Sequence, residues 1–77
     1  MSGDPIKAFG QVVREARLAR GLSQQELAYA SESDRTFISL LETGKKQPSL
    51  LTIFQLAGAL GQAPSELLRQ VELVTHH

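Results

Sequence analysis

The chain has 77 residues and sets eight Lys and Arg against eight Asp and Glu, so its formal net charge at pH 7 is zero. That length suits one domain spanning 1–77, with no room for a separate catalytic or effector domain, and it buries only about 60–65% of its unfolded surface, which favours dimerisation. Without cysteine, disulfides and thiolate metal sites are excluded, no apolar run approaches the roughly 20 residues of a membrane span, and Met1-Ser2-Gly3-Asp4-Pro5 lacks the charged and apolar regions of a signal peptide. A soluble, cytoplasmic protein without cofactor, membrane partner or small-molecule ligand is the expectation.

Five helices are predicted, and no stretch alternates polar and apolar residues as a strand does. The first runs from about Ile6 to Arg20, with Phe9, Val12, Val13 and Ala16 at helical spacing and Gly21 as its stop. The second starts after Ser23, where Ser23-x-x-Glu26 forms a capping box, and ends near Ala30 or Ser31 with Leu27 and Ala28 inward. Asp34 caps the third, whose inner face is Ile38 and Leu41 and which Gly44 closes. Ser49 caps the fourth, from about Leu50 to Leu60, with Leu50, Ile53, Leu56, Ala57 and Leu60 inside and Gly61 as stop. The fifth begins at Pro64, a favoured first position, and runs to about Val74.

Three runs carry more than helix signals: Gly21-Leu22-Ser23-Gln24-Gln25-Glu26-Leu27-Ala28, Asp34-Arg35-Thr36-Phe37-Ile38-Ser39, and Gly44-Lys45-Lys46-Gln47-Pro48. With Pro48-Ser49-Leu50 and Ser65-Glu66-Leu67-Leu68, they resemble the helix-turn-helix proteins of the lambda repressor and Cro type (XRE family), from about Phe9 to Leu68. The resemblance implies an all-α, five-helix lambda-repressor-like domain, the helix-turn-helix lying at about 23–43. The run from Asp34 to Ser39 looks most like the controller proteins of restriction–modification systems.

Residue roles follow from that resemblance. Arg35 and Thr36, on the first turn of the third helix, stand where relatives touch base edges. An arginine there can donate two parallel bonds to guanine O6 and N7, worth about 1–3 kcal/mol of discrimination. Ser39 and Leu40 lie one turn further on the same side. Leu40 replaces a commonly polar residue, so it presses on a thymine methyl, packs on the protein, or stays exposed without a role. Phe37 fits a semi-buried site better than an intercalating wedge. Gln24 resembles a residue that anchors the DNA backbone, at a helix N-terminus that favours anions. Ser23, first a cap, shares that site, and Lys45 and Lys46 are expected to hold phosphates across the groove. Arg17 and Glu42 stand where relatives form a buried structural ion pair.

The chain departs from the family pattern at three positions. The usual turn glycine is Glu32, so either a left-handed residue costs about 1 kcal/mol there or the turn takes another path. The usual apolar plug between the helices is Ser33. The usual serine cap of the last helix is Ala63, a loss of about 1 kcal/mol.

A two-fold dimer would set two recognition helices about 34 Å apart, one turn of DNA. Its expected surface is the fifth helix with the end of the fourth. There Leu68, Val71 and Val74 recur at spacings of three, and Leu51 and Phe54 add apolar area; the alternative is that the stripe of the fifth helix simply closes the monomer core. Leu67 is expected to close the core instead. His76 and His77 read as a tail or tag stub, because adjacent helical residues do not face one metal.

Two function classes compete. The first is a sequence-specific transcription regulator binding a palindromic double-stranded DNA operator as a homodimer. The second is a protein-interaction module, a coactivator-like or toxin-neutralising partner, which zero net charge, Leu40 and Leu51 favour and Arg35 with Lys45 and Lys46 oppose. The acidic residues Glu26, Glu32, Asp34 and Glu42 surround the reading unit, so weak non-specific affinity is expected. An enzyme is disfavoured, since neither a nucleophile–base pair nor a glycine-rich phosphate loop stands out.

Overall fold

Four of the five helices begin with an N-cap side chain that accepts from amides that would otherwise lack partners. The computed structural model describes residues 3–75; Met1, Ser2, His76 and His77, and with them the reading of the two histidines, lie outside the described residues. The helices are α1 (Pro5–Ala19), α2 (Gln24–Ala30), α3 (Arg35–Glu42), α4 (Leu50–Ala59) and α5 (Pro64–Thr75), with no strand among the described residues. Asp4 Oδ1 accepts from the Ile6 amide at 2.9 Å, and the Ser23–Glu26 capping box is complete, at 3.0 and 2.8 Å. Asp34 Oδ1 accepts from Phe37 N–H at 2.8 Å and Ser49 Oγ from Thr52 N–H at 3.1 Å. At α5 the Glu66 carboxylate accepts from the Ala63 amide at 2.8 Å, so half of a box survives the missing serine.

The helix ends repeat one device. Leu22, Ser33, Lys45 and Gln62 each donate a backbone N–H to a carbonyl five residues back, at 3.1, 2.8, 2.8 and 2.9 Å. Each bond needs a left-handed residue just before the donor. Gly21, Gly44 and Gly61 supply it with φ of 70, 77 and 70°, and Glu32 does so at 60°. The turn between α2 and α3 therefore keeps the ordinary path at the expense of a strained glutamate.

Phe9, Val12 and Val13 of α1, Leu27 of α2, Ile38 and Leu41 of α3, Leu56 and Leu60 of α4, and Leu67 of α5 form the core. Helix α1 packs against both α3 and α5. Its approach to α3 is close because position 10 has no side chain: a Cβ there would collide with the Leu41 carbonyl oxygen and lie 2.9 Å from that of Glu42. Arg20 ties α1 to the end of α4, donating from Nη1 to the Leu60 carbonyl at 3.3 Å.

Two expectations are corrected. Leu50, expected inside, is 70% exposed: it follows the Ser49 cap directly, and packing against the core begins only with Ile53, one turn on. Val71, expected at a dimer surface, is 8% exposed and belongs to the hydrophobic core of the single chain. Leu67 and Val71, four residues apart, share the face of α5 turned to α1, and Val74 packs partly against the same core. Leu68, about 100° round the helix from Leu67, is left outside.

Candidate nucleic-acid interface

A helix that reads DNA must be rigid, project polar side chains and be flanked by cations or free amides. Helix α3 meets the first need from both ends. At its start, Asp34 fixes the first turn, leaving the side chains of Arg35 and Thr36 exposed. Ser39 and Leu40 are half-buried one turn later, and Phe37 packs partly against the core. Leu40 thus rests in part on the protein, with only its edge turned outward.

At its end, Glu42 is held almost completely. The Arg17 guanidinium donates from Nε to Glu42 Oε2 at 2.7 Å and from Nη2 to Oε1 at 3.1 Å. Both residues are buried, and Arg17 Nη1 donates to the Leu22 carbonyl at 2.8 Å. Gln24 completes the group: its Nε2 donates to Glu42 Oε1 at 3.1 Å. No local pattern could have revealed this last bond, since the partners are 18 residues apart. Helices α1, α2 and α3 are thereby joined through one carboxylate. Because the two charges meet each other and further hydrogen-bond partners, their burial is tolerated, and loss of either one would leave the other without compensation.

The turn between α2 and α3 is closed by hydroxyls in place of an apolar plug. Ser31 Oγ, buried, donates to the Leu27 carbonyl at 2.7 Å and lies 2.8 Å from Ser33 Oγ. Glu32 is exposed, and Gln55 Nε2 of α4 reaches its carboxylate at 3.5 Å.

Around α3 the chemistry is polar and partly cationic. Ser23 is exposed at the N-terminus of α2 with its hydroxyl engaged in the capping box, and Gln24 beside it is half-buried. One amide hydrogen of Gln24 is committed to Glu42, which leaves the second for another acceptor. Lys45 and Lys46 are exposed in the loop after α3. Among the described residues, Arg17–Glu42 is the one ion pair, so neither lysine is neutralised by a carboxylate contact.

Apolar side chains are also exposed away from the first turn of α3. Leu51 and Phe54 on α4 and Leu68 on α5 are exposed, and Leu50 extends the same end of α4. Beside Leu68 a cavity of about 220 Å3 opens between α1, the Gln47–Pro48 loop and α5, with Phe9, Ile53 and Val71 in its wall. Val71 thus faces this cavity from within the protomer. No helix among the described residues is long and apolar enough to cross a membrane.

This arrangement has known counterparts. The control protein C.BamHI of Bacillus amyloliquefaciens is 43% identical over 61 residues, covering 78% of this chain and 75% of that protein. The crystal structure of the restriction–modification controller protein C.AhdI from Aeromonas hydrophila superposes with a TM-score of 0.78 at 45% identity, covering 80% of this chain and 94% of that one. The clp gene regulator ClgR from Corynebacterium glutamicum superposes more closely in shape, with a TM-score of 0.90 at 28% identity over 94% of this chain and 77% of that one. Residues 13–67 match the helix-turn-helix family model, and with five helices in this order and relatives of that kind, the chain belongs to the helix-turn-helix (XRE-type) family of transcriptional regulators.

Proposed function

We propose that this protein is a sequence-specific DNA-binding regulator of transcription that acts as a dimer on a palindromic operator, in the manner of a restriction–modification controller. The observation that carries the reading is the first turn of α3, where Arg35 and Thr36 project into solvent from a helix fixed by Asp34 at one end and Glu42 at the other. Pre-set geometry matters because a bidentate arginine–guanine contact tolerates little misplacement. Arg35 and Thr36 read base edges, with Ser39 and the exposed edge of Leu40 contributing one turn on. Ser23, the free amide hydrogen of Gln24, Lys45 and Lys46 hold phosphates on either side. Leu51, Phe54, Leu68 and part of Val74 meet a second copy, whose recognition helix then falls about 34 Å away on the next turn of DNA. The relatives that are control proteins support the controller reading.

The test is selection of randomised duplex DNA by the purified protein, with Arg35→Ala in parallel. The expected result is a two-fold symmetric motif with half-sites one turn apart. In Arg35→Ala one base position per half-site should relax, by about 1–3 kcal/mol of lost discrimination. If folded protein enriches no motif, DNA binding is refuted. The exposed leucines of α4 would then speak for a protein-interaction module.

A further inference from the structure

Lys7 has no part in the features described so far, yet the fold delivers it to the edge of the reading unit. Gly44 closes α3 with its backbone pressed onto Lys7: a Cβ at position 44 would lie 2.6 Å from Lys7 Cγ and 3.1 Å from Lys7 Cα. The next residues along the chain are the exposed Lys45 and Lys46. Lys7 is itself exposed, so three exposed lysines from two distant parts of the sequence leave the backbone near one point. They do so in a chain of zero net charge whose reading unit is otherwise acidic. Lys7 lies in the first turn of α1, directly after the Asp4 cap, whose carboxylate accepts from the Ile6 and Lys7 amides.

We infer that Lys7 is a phosphate-contacting residue, forming with Lys45 and Lys46 one clamp on the DNA backbone that joins the start of α1 to the end of α3. The inference rests on the DNA-binding reading above. The clamp carries no base information. It adds affinity and fixes the angle of α3 in the groove, because α1 and α3 move as one body through the Gly10 and Gly44 contacts.

Salt dependence tests this, using the full chain and a duplex bearing the selected motif. Each phosphate neutralised contributes about 0.9 to the slope of log affinity against log salt. In Lys7→Gln the slope should become shallower by about 0.9 per protomer, or about 1.8 for a dimer on two half-sites, with the preferred sequence unchanged. Lys7→Arg should keep the parental slope. Arg69→Gln, which removes one exposed cation on α5, should leave it unchanged. The inference is overturned if Lys7→Gln keeps the parental slope. It is equally overturned if Arg69→Gln flattens the slope as much, which would mark a net-charge effect, or if sedimentation shows that Lys7→Gln has lost the dimer. A parental protein whose DNA binding is absent or insensitive to salt would instead sink the DNA-binding reading beneath it.

Discussion

The two ends of α3 are marked by two glutamates that differ in every respect except charge. Glu32, in the turn before the helix, is exposed, holds a left-handed backbone at φ 60° and makes one long contact with Gln55. Glu42, in the last turn, is buried and accepts from Arg17 and Gln24 through both carboxylate oxygens. The start of the helix is therefore held by short-range means, a cap and a turn, which leave its side chains free to meet a partner. The end is held by long-range means, which weld it to α1 and α2. A recognition helix needs both, because its first turn must be open while its direction must be fixed.

Breaking the stronger end should give the largest effect. Glu42→Ala leaves the Arg17 guanidinium buried with only the Leu22 carbonyl, at a cost of about 3–5 kcal/mol. Glu32→Ala, at the exposed end, should stay within about 0.5 kcal/mol of the parent. Chemical denaturation of the two variants side by side decides the matter, and coincident midpoints would show that the buried carboxylate is not what anchors the helix.

A smaller loss is expected at Gly44, where both the positive φ and the Lys7 side chain exclude a Cβ. Gly44→Ala should destabilise by about 2 kcal/mol, combining a left-handed L-residue with crowding against α1. A thermal midpoint equal to the parent's would mean that α1 yields freely at this contact.

The smallest change runs in the opposite direction. Glu32→Gly removes the strain of a left-handed glutamate, about 1–2 kcal/mol, and gives back part of it through the greater freedom of glycine in the unfolded chain. The net expectation is stabilisation by about 0.5–1 kcal/mol, or a rise of roughly 4 °C in Tm. A lower Tm would show that the bond from Gln55 outweighs the backbone strain.

The same division between short and long range governs what residue type and spacing make legible. The short-range devices are plain in the chain. Asp34, Ser23 with Glu26, and Ser49 each announce a helix start, and Gly21, Gly44 and Gly61 announce the stops. At Glu32 the chain alone permits two paths, because sequence gives the strain but not the hydrogen bond from Ser33 to Ala28 that compels one of them. The face of α5 escapes sequence reasoning for a related reason. Leu68, Val71 and Val74 make as regular a pattern as Leu67, Val71 and Val74, and only the position of α1 decides which set is buried. Leu50 defeats the pattern because helical spacing gives it the same face as Ile53, yet of the two only Ile53 is packed against the core. The bond between Gln24 and Glu42 and the seat of Lys7 on Gly44 are tertiary facts with no local trace.

The caps have a kinetic consequence as well. Every helix start among the described residues is organised by partners within three positions in the chain, and the glycine-type closures span five. All-helical domains dominated by such near-neighbour contacts fold in microseconds to milliseconds. This protein is therefore expected to fold within milliseconds, which stopped-flow refolding would check. On that timescale folding outpaces synthesis, so the pace of translation would set how soon new copies are active.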